Sequence, residues 1–284
     1  MRLFRKSDSH SLEAAWSYSV EGAIWRIYPT AAGTLVGEER RINNKKTFFF
    51  CLDRKNGHEL WQHASPGDEW WIGIEAVDRD TVFFHGFATP NLPLHRGIIA
   101  ADMLTGKKLW EDQELEFVGT RDEFVVGSKE ASEGRSFIEL DRRSGARARE
   151  VDAAELRALG VKRAGSDIDV RLPVPIEQDA IEKTPAGTAI QNHLGRTLAG
   201  PVEIVEMEKF LVFDYHEVSE HGTSESPLFS STIKIVDREA GAVIYSDAVS
   251  AGVKAIIPEL FLVQHDMLYY IKDRRTLTAV HLAS

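Results

Sequence analysis

An all-β fold, a five-bladed β-propeller of four-stranded antiparallel blades, is what three features of the sequence predict. A strand–turn–strand segment recurs four times. A large aromatic residue returns in the same register after several of the turns. The last unit stops one strand short, while an aromatic strand stands near the N-terminus.

The four copies are Thr47–Trp61, Gly97–Trp110, Arg135–Arg149 and Ser231–Tyr245. Each has a β-rich run, an aspartate, a few polar residues, a glycine and a second β-rich run. The aspartates are Asp53, Asp102, Asp141 and Asp237, each followed four residues later by Gly57, Gly106, Gly145 or Gly241. An aspartate side chain can accept from the backbone N–H groups of such a turn, and glycine takes the positive φ that the turn needs. Trp61 and Trp110 follow their aspartate by eight residues, and Tyr245 takes the same place after Asp237. That register marks a packing residue between neighbouring blades. Independent hairpins in a sandwich would not require it. The third copy departs from the pattern, with Arg147 to Arg149 where the aromatic belongs.

Two alternating strands should precede each hairpin and complete a blade. They are Trp25–Ala31 with Thr34–Arg40, Trp71–Val77 with Thr81–Phe87, Glu116–Thr120 with Phe124–Lys129, and Val202–Met207 with Phe210–Val218. A fifth set, Glu259–Gln264, Met267–Lys272 and Thr276–Ser284, has three strands and then ends. Glu13–Val20 supplies the missing outer strand, with Trp16 in the place of Trp61 and Trp110. Pairing the first strand with the last leaves no long open edge.

The aspartates from Asp53 to Asp102 and from Asp102 to Asp141 are 49 and 39 residues apart, but Asp237 follows Asp141 by 96. Six blades are therefore the alternative, with the sixth drawn from residues 151–200. That segment reads instead as a mixed insertion. Asp152 as N-cap, Glu155 three residues on and Gly160 as the stop mark a short helix. Pro173, Pro175, Pro185 and Pro201 then follow without an aspartate–glycine turn. The whole chain, 1–284, reads as one domain with residues 1–10 as a flexible leader.

Leu52–Trp61 and Ala101–Trp110 resemble the "LDxxTGxxLW" repeat of the quinoprotein-like β-propellers, and Glu13–Val20 is similar to that family's "xLLWSYxV" strand. The resemblance covers nearly everything outside residues 151–200. It implies membership of a small bacterial family of unknown function built on this repeat. It does not carry over the pyrroloquinoline quinone cofactor. The enzymes that use it are larger, eight-bladed and exported, usually with a vicinal disulfide that the lone Cys51 cannot supply. No cofactor is expected.

With 44 acidic against 34 basic residues and a net charge of −10, the chain lacks the basic footprint of a nucleic-acid binder. No run of about eighteen apolar residues could span a membrane. One cysteine and an N-terminus too polar for a signal peptide point to the cytoplasm.

In a propeller the second-to-third-strand loops and the blade-to-blade connections share one face. The loops at 40–46, 86–96 and 217–230 and the insertion at 151–200 make that face the expected binding surface, contacting a protein or a small polar ligand. Its candidate residues are Trp70, Trp71, Arg41, His85, His95, Arg96, Asp214 and His216. Of the adjacent tryptophans, one is expected in the core. Asp214, His216 and His221 match no zinc spacing, and no metal is expected. With no nucleophile–base signature either, a non-enzymatic binding or scaffolding module is the leading reading. A hydrolase of a carbohydrate or other polar molecule, using carboxylates such as Glu116, Glu203 and Asp214, is the alternative.

Overall fold

The turns and strands fall where the repeat places them. The computed structural model describes residues 11–89, 92–132, 134–162, 169–223 and 225–282, so the expected N-terminal leader, residues 1–10, lies outside the described residues. The chain opens with β1 (Ala14–Ser19), then β2 (Ala23–Pro29), β3 (Thr34–Arg41), β4 (Lys46–Asp53) and β5 (Glu59–Ala64). Next come β6 (Ile72–Asp78), β7 (Thr81–Thr89), β8 (Leu92–Asp102) and β9 (Lys108–Asp112). β10 (Glu116–Arg121), β11 (Phe124–Ala131), β12 (Gly134–Asp141) and β13 (Arg147–Val151) follow, and then helix α1 (Ala153–Ala158). After two short strands, β14 (Val170–Arg171) and β15 (Val174–Ile176), comes helix α2 (Pro185–Ile190). The chain closes with β16 (Leu198–Glu206), β17 (Phe210–Val218), β18 (Phe229–Asp237), β19 (Ala242–Val253), β20 (Phe261–Gln264), β21 (Met267–Lys272) and β22 (Thr276–His281).

These residues form two compact units, 20–168 and 1–19 with 169–284. In the first, β2–β5, β6–β9 and β10–β13 make three antiparallel sheets of consecutive strands. Alternation decides what each strand packs against. On β7, Val82 and Phe84 join Val36, Phe49 and Trp61 of the first sheet, while Phe83 joins Val125, Ile138 and Leu140 of the third.

The four turns share one geometry. Asp53 Oδ1 accepts from the N–H of Lys55 at 2.8 Å, Asp102 from Thr105 at 3.0 Å, Asp141 from Ser144 at 2.8 Å and Asp237 from Glu239 at 2.9 Å. The following glycines all have positive φ, from 63° to 69°. The tryptophan of one sheet closes on the turn of the next. Trp61 Nε1 donates to Met103 O at 2.8 Å, and Trp110 Nε1 donates to Arg142 O at 2.7 Å. A Cβ on Gly106 would lie 2.7 Å from the Trp61 ring, and one on Gly145 would lie 2.6 Å from the Trp110 ring. The third sheet keeps its outer strand without an aromatic, because Arg149 Nε donates to Glu139 at 2.7 Å and Arg147 pairs with Asp112 at 3.0 Å.

The second unit has two five-stranded antiparallel sheets, ordered β15–β16–β17–β18–β19 and β1–β22–β21–β20–β14. The N-terminal strand is the outer strand of the last sheet, Trp16 opposite Ala279 and Tyr18 opposite Leu277, with the Trp16 ring 6.0 Å from Tyr269.

The segment expected to decorate a loop face does more. α1 begins where expected, with Asp152 accepting from Ala154 and Glu155 and Gly160 at φ 63°. β14 and β15 then extend the edges of β20 and β16, and the edge position tolerates Pro175. Ile181, Ala186 and Ile190 pack under Val202, Ile204 and Phe213, so this part of the segment belongs to the core.

Two of the three expected long loops are also corrected. Residues 40–46 are strand ends around a single 3₁₀ turn at Ile42–Asn44. Within 86–96 the strands continue into a hairpin, with Gly86 opposite Arg96 and Phe87 opposite His95. The loop after Val218 stands between β17 and β18 as expected.

Candidate functional site

Two bulges flank His85 and turn ordinary strands into a cluster. On β6 the pairing passes from Ile74 with Phe84 to Ala76 with Phe83, which leaves Glu75 as the extra residue. Across β7, Phe84 pairs with Ile99 and Gly86 with Arg96, so Gly97 and Ile98 together face His85. Gly97 supplies the φ of 77° that this second bulge requires. Bulges re-aim side chains, and here the result is convergence. Glu75 Oε2 lies 2.8 Å from His85 Nδ1 and 2.7 Å from His95 Nδ1. The imidazoles are stacked, their centroids 3.5 Å apart and their planes 6° from parallel.

Space for the buried ring comes from Gly73, which pairs with His85 and whose missing Cβ would stand 3.1 Å from His85 Cε1. Burial raises the proton affinity of Glu75. The neighbouring imidazoles of His85 and His95 outweigh it and hold the carboxyl below the usual glutamate range.

Aromatic rings border the cluster. Phe87 meets His85 and His95 edge-on at 5.1 and 5.6 Å, and Trp71 meets Phe87 edge-on at 6.1 Å. The chain enters β6 along a fixed path. Asp68 Oδ1 accepts from the N–H groups of Trp70 and Trp71 at 2.8 and 2.6 Å. Arg40 donates to the carbonyls of Trp70 and Ile72 and pairs with the buried Glu38 at 2.6 Å. Neither tryptophan is a core residue, contrary to expectation: Trp70 is half-buried beneath Arg40, and Trp71 is 39% exposed.

The remaining expected residues go elsewhere. Arg41 is tied to Glu39 at 2.7 Å and Glu21 at 2.5 Å and covers the Phe48 ring. Arg96 is exposed and donates to Gln113 O at 3.3 Å. Asp214 and His216 lie in the strand expected for them, β17, but are buried rather than presented at a binding face, and they belong to the other unit.

There Asp214 pairs across strands with Glu203, so two of the three expected carboxylates are neighbours. The third, Glu116, pairs with Arg135 in a different sheet. Neither Asp214 oxygen has a hydrogen-bond partner among the described residues, and the residue is 1% exposed. Burial, reinforced by the Glu203 charge, pushes the Asp214 carboxyl well above its ordinary value. Burial likewise raises Glu203, whose Oε2 accepts from Glu259 N at 2.7 Å. It lowers the His216 pKa and so favours the neutral ring, with Nε2 facing Ile257 N at 3.3 Å.

Glu75 was missed from sequence. Its strand reads as regular alternation, and the partners that give it meaning arrive from two other strands. Gly97, a glycine inside a strand pattern, signals the bulge opposite His85 but not the separate bulge that carries Glu75.

These sheets define a protein of repeated antiparallel β units with a histidine–glutamate–aromatic cluster on one of them. A family described as a domain of unknown function (DUF4905) matches residues 29–110, which hold the whole of that cluster. No curated protein matches the chain. Among solved structures, hydrazine synthase of Kuenenia stuttgartiensis is 12% identical, covering 87% of this chain and 60% of its own, with a TM-score of 0.27. The β-propeller domain of the trilobed protease from Pyrococcus furiosus is 10% identical over 92% of this chain and 71% of its own, with a TM-score of 0.31. A eukaryotic initiation factor is 8% identical over 97% and 56%, with a TM-score of 0.32.

Proposed function

We propose that the chain is a five-bladed propeller of quinoprotein-like repeats that acts as a non-enzymatic binding module, taking a protein partner on the β7–β8 hairpin. Five antiparallel sheets, three of four strands and two of five, and the pairing of the first strand with the last support the blade count. The observation that carries the function is Trp71, a large aromatic left 39% exposed beside Phe87 on a backbone fixed by Asp68 and Arg40. Rigidly held aromatics of this kind dominate interface energetics. The net charge of −10 favours a protein over a nucleic acid. Hydrolysis is the weaker reading, because the Glu203–Asp214 pair is sealed and an acid that a substrate cannot reach does no work on it. Parallel affinity capture with the wild-type chain and Trp71→Ala tests the proposal. A partner held by the first and lost by the second is expected. Identical captures from both would refute the surface.

A further inference from the structure

We propose that Glu75, His85 and His95 form a site for a first-row divalent cation such as Zn²⁺, with one coordination position left for an outside ligand. Their ligand atoms all lie within 4.8 Å of one another. Two imidazole nitrogens and one carboxylate oxygen are the donor set of borderline cations. Imidazole suits zinc, copper, iron and nickel, whereas magnesium and calcium prefer oxygen.

The second observation is His85 itself. Its side chain is 4% exposed and its Nδ1 points into the cluster, 2.8 Å from Glu75 Oε2 but out of line for a hydrogen bond. A buried polar atom without a partner is costly, and a cation between Nδ1 and Oε2 satisfies both groups.

The distances suit a cation after a small opening. Tetrahedral bonds of about 2.1 Å place ligand atoms about 3.4 Å apart, so each nitrogen must retreat from Oε2 by about 0.6 Å. The stacked rings must also tilt, since each imidazole lone pair lies in its ring plane. His95 and Glu75 can make these movements, being 43% and 22% exposed, whereas His85 is packed against Gly73. Three protein ligands complete three corners of a tetrahedron. The fourth is left for an outside ligand.

This site stands on the geometry of the β6–β8 strands and is independent of the partner proposed above, so either reading can fail alone. Chelator-stripped full-length protein titrated with Zn²⁺ by calorimetry should bind one ion per chain. Cobalt(II) should give the visible d–d bands of a four-coordinate site. Glu75→Gln and His95→Ala, at residues that are not in the core, should each weaken zinc binding at least tenfold. His281→Ala removes a separate surface histidine paired with Asp266 and should leave the affinity unchanged. A wild-type chain that binds no zinc, or one whose affinity survives both Glu75→Gln and His95→Ala, overturns the assignment.

Discussion

Replacing Gly145 by alanine should cost more stability than the same change at Gly241, and the excess measures the tryptophan contact. Both glycines close an aspartate turn with positive φ, 69° and 63°. Forcing alanine into that conformation costs about 1–2 kcal/mol at either site. Only their surroundings differ. Nothing lies within 4 Å of a Cβ at Gly241, whereas one at Gly145 would stand 2.6, 2.7 and 2.9 Å from three carbons of the Trp110 ring. That ring is held by its bond to Arg142 O, so relief requires moving a strand, and overpacking of this kind adds about 1–3 kcal/mol. Gly241→Ala should therefore cost about 1–2 kcal/mol and Gly145→Ala about 2–5 kcal/mol. Urea midpoints at a shared slope give both values. In a Trp110→Ala background the Gly145 penalty should fall to that of Gly241. Equal costs in the wild-type chain, or an excess that persists without Trp110, would show that the ring does not press on the turn.

Two further outcomes are expected. Removing residues 1–20 takes β1 and Trp16 from the last sheet and should cost at least about 3 kcal/mol, the value of one buried tryptophan alone; an unchanged melting temperature would exclude a structural role for that strand. Burial and the neighbouring Glu203 raise the Asp214 carboxyl, so the folded state holds its proton to higher pH than the unfolded chain does. This contribution is fully present below the unfolded value of about 3.9 and is lost as pH rises through the folded value. Asp214→Asn should flatten that decline in urea midpoints taken from acid to alkaline pH. An unchanged slope would mean that Asp214 ionises freely.

The parts legible in the sequence were local ones. An aspartate four residues before a glycine specifies its own turn, and Asp53, Asp102, Asp141 and Asp237 all do so here. The aromatic register was legible because the repeat places Trp61 and Trp110 at the same step from those turns. Residues 86–96 looked like a loop, with two prolines, an asparagine and polar residues at the far end. Cross-strand pairing of Phe87 with His95 overrides that local signal. β14 and β15 were hidden for a related reason. Prolines argue against a central strand but not against an edge, and the partners that make Val170 and Val174 strand residues lie in distant parts of the chain. The cluster is half visible in the sequence: His85 and His95 stand out as candidates, but Glu75 enters only through a bulge that depends on the register of two neighbouring strands.

Leu172 and Pro173 are all that separate β14 from β15, yet those strands belong to different sheets. Three peptide steps from Arg171 to Val174 reach no more than about 11 Å when fully stretched. The segment therefore works as a mechanical tether. Under a pulling force the edges of β20 and β16 can part only until this link is taut, and then one of the two short pairings must tear. A cut at the exposed Leu172 would release that restraint while leaving every other strand pairing in place.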